Sequence, residues 1–122
     1  TELDLVVYFF QFPILSDSSR LYSKILLSVD EQNTDEAILL HDKLMNVKGN
    51  LNENKLNDIL SSININQEKF EKDIVSLDIE EKIEVSYYVA RRIGGTGTPL
   101  LIINNFVEQG FRTKEEIINI LD

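Results

Sequence analysis

The chain of 122 residues contains no cysteine. Disulfide staples, thiolate zinc sites and cysteine nucleophiles are therefore excluded within it, although this alone does not fix a cellular compartment. Basic residues are scarce as well: 12 Lys and Arg stand against 21 Asp and Glu, for a net charge of -9. That balance argues against nucleic-acid binding, which calls for a basic footprint, and says little about fold. Long apolar runs are also lacking. Leu5-Val6-Val7-Tyr8-Phe9-Phe10 and the stretch from Pro99 to Ile103 fall far short of the roughly 20 residues a membrane-spanning helix needs. No signal-peptide pattern is visible, and the chain opens on Thr1 rather than Met. Removal of the natural start by processing, cloning or proteolysis is the expectation.

What is present suits one domain with a small core: 43% of residues are hydrophobic. Leu3 to Gln11 reads as a strand, rich in Val, Tyr and Phe and closed by Pro13. So continuous an apolar run suggests burial on both faces, as in a parallel sheet. Asp17 or Ser18 can cap a helix through about Val29. Thr34 to Val47 carries Ala37, Ile38, Leu40, Leu44 and Met45 near helical spacing, with Gly49 placed as its stop. A shorter helix over about Glu53 to Ser62 would turn Leu56, Ile59 and Leu60 inward. Asn66 can cap a helix through Val75, and Glu80 to Ile93 makes a longer one ended by Gly94 and Gly95. The period then changes. Leu100 to Ile103 is a strand, Asn104-Asn105 a tight turn, and Phe106 to Glu108 its partner. Gly110 breaks this strand, and Thr113 with Glu116 forms a capping box for a helix to Leu121.

Some residues invite chemistry without supporting it. His41 lies next to Asp42, but adjacent helical residues do not face each other, so a surface histidine is expected. Arg91-Arg92 suits the negative end of a helix. Asp78, Glu80, Glu81 and Glu84 lack the spacing and glycine of a calcium loop and read as a solvated face. Tyr87-Tyr88 is expected to pack the helical block against the rest of the chain. No metal site is expected.

Four segments form an ordered set: Phe12-Pro13-Ile14-Leu15-Ser16-Asp17-Ser18-Ser19, His41-Asp42-Lys43-Leu44-Met45, Gly49-Asn50-Leu51-Asn52-Glu53, and Ile93-Gly94-Gly95-Thr96-Gly97-Thr98-Pro99. In order and spacing they resemble the DsbA-like thiol–disulfide oxidoreductases. That family runs a strand into an F-P-I-L-G-x-D-S turn. An insertion with F-H-D-x-L-M and G-x-L-x-E-x-x-L follows, and the chain returns through A-x-x-L-G-x-x-G-T-P into a hairpin and a last helix. The likeness extends from Val6 to Leu121. Leu40 stands where the family often has Phe, and Ser16 where Gly is common. The family's first strands and Cys-x-x-Cys helix have no counterpart ahead of Leu3.

The resemblance implies an α/β, thioredoxin-like fold over residues 1–122, with an inserted α-helical lobe at about 18–93 and its N-terminal strands missing. It implies a substrate-binding loop at Gly97, Thr98 and Pro99, with a cis Thr98–Pro99 bond and peptide bound alongside in extended form. It places no catalytic residue in this chain, because the exchanging thiolate would belong to the absent Cys-x-x-Cys, and it calls for no cofactor. Expected partners are unfolded or disulfide-bearing proteins, a redox partner, and a second copy through exposed sheet edges; the expected location is the periplasm or outside the cell. Without its central strand the sheet would leave unpaired edges, so a fragment, or a strand supplied from elsewhere, is the expectation. A non-catalytic thioredoxin-like peptide-binding module is the alternative, favoured by the lack of cysteine. Kappa-type glutathione transferases share the inserted lobe and are a further option, but would need a glutathione site.

Overall fold

Residues 5–122 are described here by a computed structural model of the chain. The elements run α1 (Asp17–Asp30), α2 (Thr34–Met45), α3 (Glu53–Ser61), α4 (Gln67–Asp73), α5 (Leu77–Arg92), β1 (Leu100–Ile103), β2 (Phe106–Gln109) and α6 (Lys114–Leu121).

Short polar side chains start the helices by accepting hydrogen bonds from otherwise unpaired first-turn N–H groups. Ser16 accepts from Ser19, Asn33 from Asp35 and Glu36, Asn52 from Lys55, Asn66 from Lys69, and Ser76 from Ile79. The cap of α1 is thus Ser16 rather than Asp17 or Ser18. Helix α5 begins earlier than Glu80, because Ser76 is a competent cap and Leu77 continues the helix. Helix α2 stops at Met45, with Asn46 as its C-cap, before Val47 and Gly49 are reached.

The core belongs to the helical lobe. Ile25 and Val29 of α1, Ala37 and Leu40 of α2, Ile63, and Phe70 of α4 form one buried cluster, flanked by Leu44, Leu56, Ile59 and Leu60. Helix α1 is central, packing on α2, α4 and α5. On α2 only Ala37 and Leu40 are buried. Ile38 and Met45, counted among the apolar positions near helical spacing, are 52% and 70% exposed; helical spacing allowed a wider apolar stripe than α1 and α3 cover. Ile79, Ile83 and Ala90 are the buried positions of α5. Ion pairs weld α5 to α1: Glu80 pairs with both Arg20 and Lys24, and Arg20 reaches Glu84 at 3.1 Å. Half of the acidic run expected to be a solvated face is therefore a seam between helices.

β1 and β2 form an antiparallel hairpin, with Leu100 opposite Gln109 and Ile103 opposite Phe106. Asn104 adopts φ +53° in its turn, as asparagine tolerates. The capping box is present at α6: Thr113 accepts from the Glu116 N–H, and Glu116 reaches back to the Thr113 N–H. The Thr113 backbone N–H, and after it the Thr113 hydroxyl, hold the Glu116 carboxyl below its ordinary pKa.

The strand expected over Leu3–Gln11 is not formed within the described residues; Leu3 and Asp4 lie outside them. Leu5 to Gln11 belongs to no sheet. Leu5, Val6 and Tyr8 are 54%, 78% and 78% exposed. A strand is defined by a hydrogen-bonded neighbour, and among the described residues this segment has none. Its composition is that of a buried strand, but the pairing that would make it one is absent.

Candidate functional site

The candidate loop joins α5 to β1. Helix α5 ends when Gly94 takes φ +80°, a conformation nearly free of cost only for glycine. The Gly94 N–H then donates to the Arg91 carbonyl at 3.1 Å and the Gly95 N–H to the Ala90 carbonyl at 2.7 Å. Gly95 is required for a different reason. A Cβ there would lie 2.7 Å from Leu100 Cδ2 and 2.9 Å from the Ala90 carbonyl oxygen, closer than atoms can approach without displacement. At Gly97 a Cβ would meet open space.

The loop is fastened by two neighbouring residues, Gln109 at the end of β2 and Gly110 just after it. Gln109 Oε1 accepts from the Thr96 N–H at 3.1 Å and from Thr96 Oγ1 at 2.9 Å, while its Nε2 donates to the Gly94 carbonyl at 3.1 Å. The Gly110 N–H donates to the Pro99 carbonyl at 2.9 Å. Between these ties lie Gly97, half-buried, and Thr98 and Pro99, both exposed. The Thr98–Pro99 peptide bond is cis.

Beside the loop runs a largely apolar groove of about 500 Å³, lined among others by Phe12, Tyr22, Leu44, Met45, Val47 and Thr98. The loop itself contains no titratable side chain. What it can offer, at a bend, is backbone hydrogen bonding at Gly97 and Thr98, with apolar contact next to it.

The other sequence candidates lie elsewhere. His41 is half-buried rather than a free surface histidine, its ring 5.9 Å from that of Phe9. It lines both the groove beside the loop and a second one, of about 460 Å³, under Val7 to Gln11. Tyr87 packs its ring 5.2 Å from Phe12, and its hydroxyl donates to the Pro13 carbonyl, whereas Tyr88 is 64% exposed. Of the two expected packing tyrosines, only Tyr87 packs. Arg91 lies over the Tyr87 ring, 5.3 Å from its centre. Gln109 went unrecognised in the sequence, where it is one polar residue near the end of a short strand; only the hairpin register, which sets it opposite Leu100, brings it to the loop.

No protein-family model matches the sequence, and no curated protein matches it. Solved structures do. The chain superposes on a thioredoxin-like oxidoreductase from Silicibacter pomeroyi DSS-3 with a TM-score of 0.79 and 22% identity, over 91% of this chain and 63% of that one. It superposes on Proteus mirabilis ScsC, in a compact conformation, with a TM-score of 0.74 and 22% identity, over 91% of this chain and 60% of that one. The fold is DsbA-like and thioredoxin-like. Its helices α1 to α5 precede the candidate loop, and its hairpin and α6 follow it. This thioredoxin-like chain spans about three-fifths of the length of the solved structures it matches.

Proposed function

We propose that the chain is a segment of an exported or periplasmic DsbA-like protein thiol–disulfide oxidoreductase, and that it carries the helical lobe and the substrate-binding loop. The observation that supports this most is the superposition of 91% of the chain on a thioredoxin-like oxidoreductase whose own length extends well past the match. The unpaired segment Leu5–Gln11 agrees with it, because a run apolar on both faces is what a central strand needs and what a free tail does not.

In the chemistry proposed, a thiolate attacks one sulfur of a substrate disulfide. A new S–S bond forms, the old one breaks, and the departing sulfur leaves as a thiolate. Neither enzyme sulfur comes from these 122 residues, which contain no cysteine. Their part is to hold an extended stretch of an unfolded or disulfide-bearing protein along Gly97, Thr98 and Pro99 while exchange takes place. A redox partner would reset the enzyme.

The absence of cysteine favours a second reading. A thioredoxin-like module could use the same loop to bind peptide without redox chemistry. The intact mass and N-terminal sequence of the protein from its native source separate the two. A mass well above 14.0 kDa, with a Cys-x-x-Cys ahead of Thr1, is expected for the oxidoreductase. A native mass equal to that of this chain would sink redox catalysis and leave the binding module.

A further inference from the structure

We propose that Gln109 is a positioning residue for the peptide-binding loop, holding the Gly97–Thr98 backbone ready for an incoming extended peptide; this rests on reading Gly97, Thr98 and Pro99 as that loop. Gly94, Gly95 and Gly97 make the connection between α5 and β1 rich in glycine, and such a stretch samples many conformations unless it is tied down. The ties come from adjacent positions, Gln109 at the end of β2 and Gly110 just beyond it. The Gln109 side chain holds the entry of the loop through Gly94 and Thr96, and the Gly110 N–H holds its exit through Pro99.

A carboxamide is well suited to the entry position. One group must accept from the Thr96 N–H and hydroxyl and also donate to the Gly94 carbonyl, and glutamine presents acceptor and donor in one plane. The backbone between the ties is left over. Among the described residues, no intrachain hydrogen bond engages the N–H or C=O of Gly97 or Thr98. An extended peptide could therefore pair there with little further ordering of the loop, and such preorganisation raises affinity by removing an entropic cost of binding.

The test uses Gln109→Leu, which deletes all the side-chain bonds, and Gln109→Glu, which at neutral pH keeps the acceptor toward Thr96 and loses the donor toward Gly94. Two quantities are measured in the full chain: amide hydrogen exchange at Thr96, Gly97 and Thr98, and the affinity for a short dansylated peptide of alternating Val and Thr. In Gln109→Leu, exchange at Thr96 should rise about tenfold or more and affinity should fall about tenfold, with the β1 amides unchanged. Gln109→Glu should bind with intermediate affinity and recover toward wild type as pH falls through the carboxyl range, where a protonated carboxyl regains a donor; wild type corrected for the same pH change is the reference. Should Gln109→Leu fail to fold, Gln109→Glu and its recovery decide the matter. Wild-type binding that survives unchanged in both variants overturns the role of Gln109 alone. A wild type that does not bind the peptide overturns the peptide-binding reading, and the proposal with it.

Discussion

The hydroxyl of Tyr87 donates to the carbonyl of Pro13, so the middle of α5 is bolted to the turn that leads into α1. The same ring packs against Phe12 at 5.2 Å and lies under Arg91 at 5.3 Å. One residue thus joins the turn Phe12–Ser16 to the helix that ends at the candidate loop. Tyr87→Phe keeps the ring contacts and leaves the buried Pro13 without a donor for its carbonyl. The expected loss is about 1 kcal/mol of unfolding free energy in a urea titration. Tyr87→Ala removes the ring too and should cost about 3 kcal/mol. Equal stability of wild type and Tyr87→Phe would mean that the hydroxyl makes no bond of consequence.

The ion pairs between α1 and α5 give a pH dependence of known sign. Lys24, and then Arg20, hold the Glu80 carboxyl below its ordinary range. A carboxyl depressed in the folded state contributes stability above its unfolded pKa and loses it as pH falls through the ordinary carboxylate range to the lower folded value. Because Glu80 remains partly open to water, with a side-chain exposure of 35%, the contribution is about 1 kcal/mol or less. Glu80→Gln should lower stability at neutral pH by that amount and flatten the acid limb of the stability curve. Thermal melts in steps from pH 7 into the acid range provide the comparison, and parallel curves for the two proteins would rule the network out as a pH-sensitive element.

Two glycines of one loop should respond oppositely to the same substitution. Gly95→Ala drives a Cβ into Leu100 and the Ala90 carbonyl, with an expected cost of about 1–3 kcal/mol. Gly97→Ala meets open space and should be neutral or slightly stabilising, because alanine has fewer unfolded conformations to lose. Melting temperatures of both variants test this. A destabilised Gly97→Ala beside an unaffected Gly95→Ala would contradict the packing described between α5 and β1.

Much of the architecture was readable from residue order. Helix caps at Asn66 and Thr113, the change of period at Leu100 and the asparagine turn are local features, encoded in side chains a few positions apart. So were the four motif segments whose likeness to DsbA-like proteins agrees with the fold. Misread were the features that depend on neighbours distant in the chain. Val6 to Phe10 has the composition of a strand without a partner. Glu80 looked like one acid among several until α1 brought Arg20 and Lys24 to it. Ile38 and Met45, seven positions apart on one side of α2, ended exposed together.

The division follows the range of the forces. Hydrogen bonds within a turn of helix, the φ preferences of Gly and Asn, and the period of apolar residues act over a few positions, so the linear order of amino acids dictates the elements and the loop that separates α5 from β1. Side-chain partners such as Gln109 with Thr96, or Tyr87 with Pro13, arise only when elements far apart in sequence are packed together, and no local pattern encodes that placement. Whether Leu5 to Gln11 is a strand was decided the same way, because a backbone hydrogen bond between strands needs a neighbour that composition cannot supply.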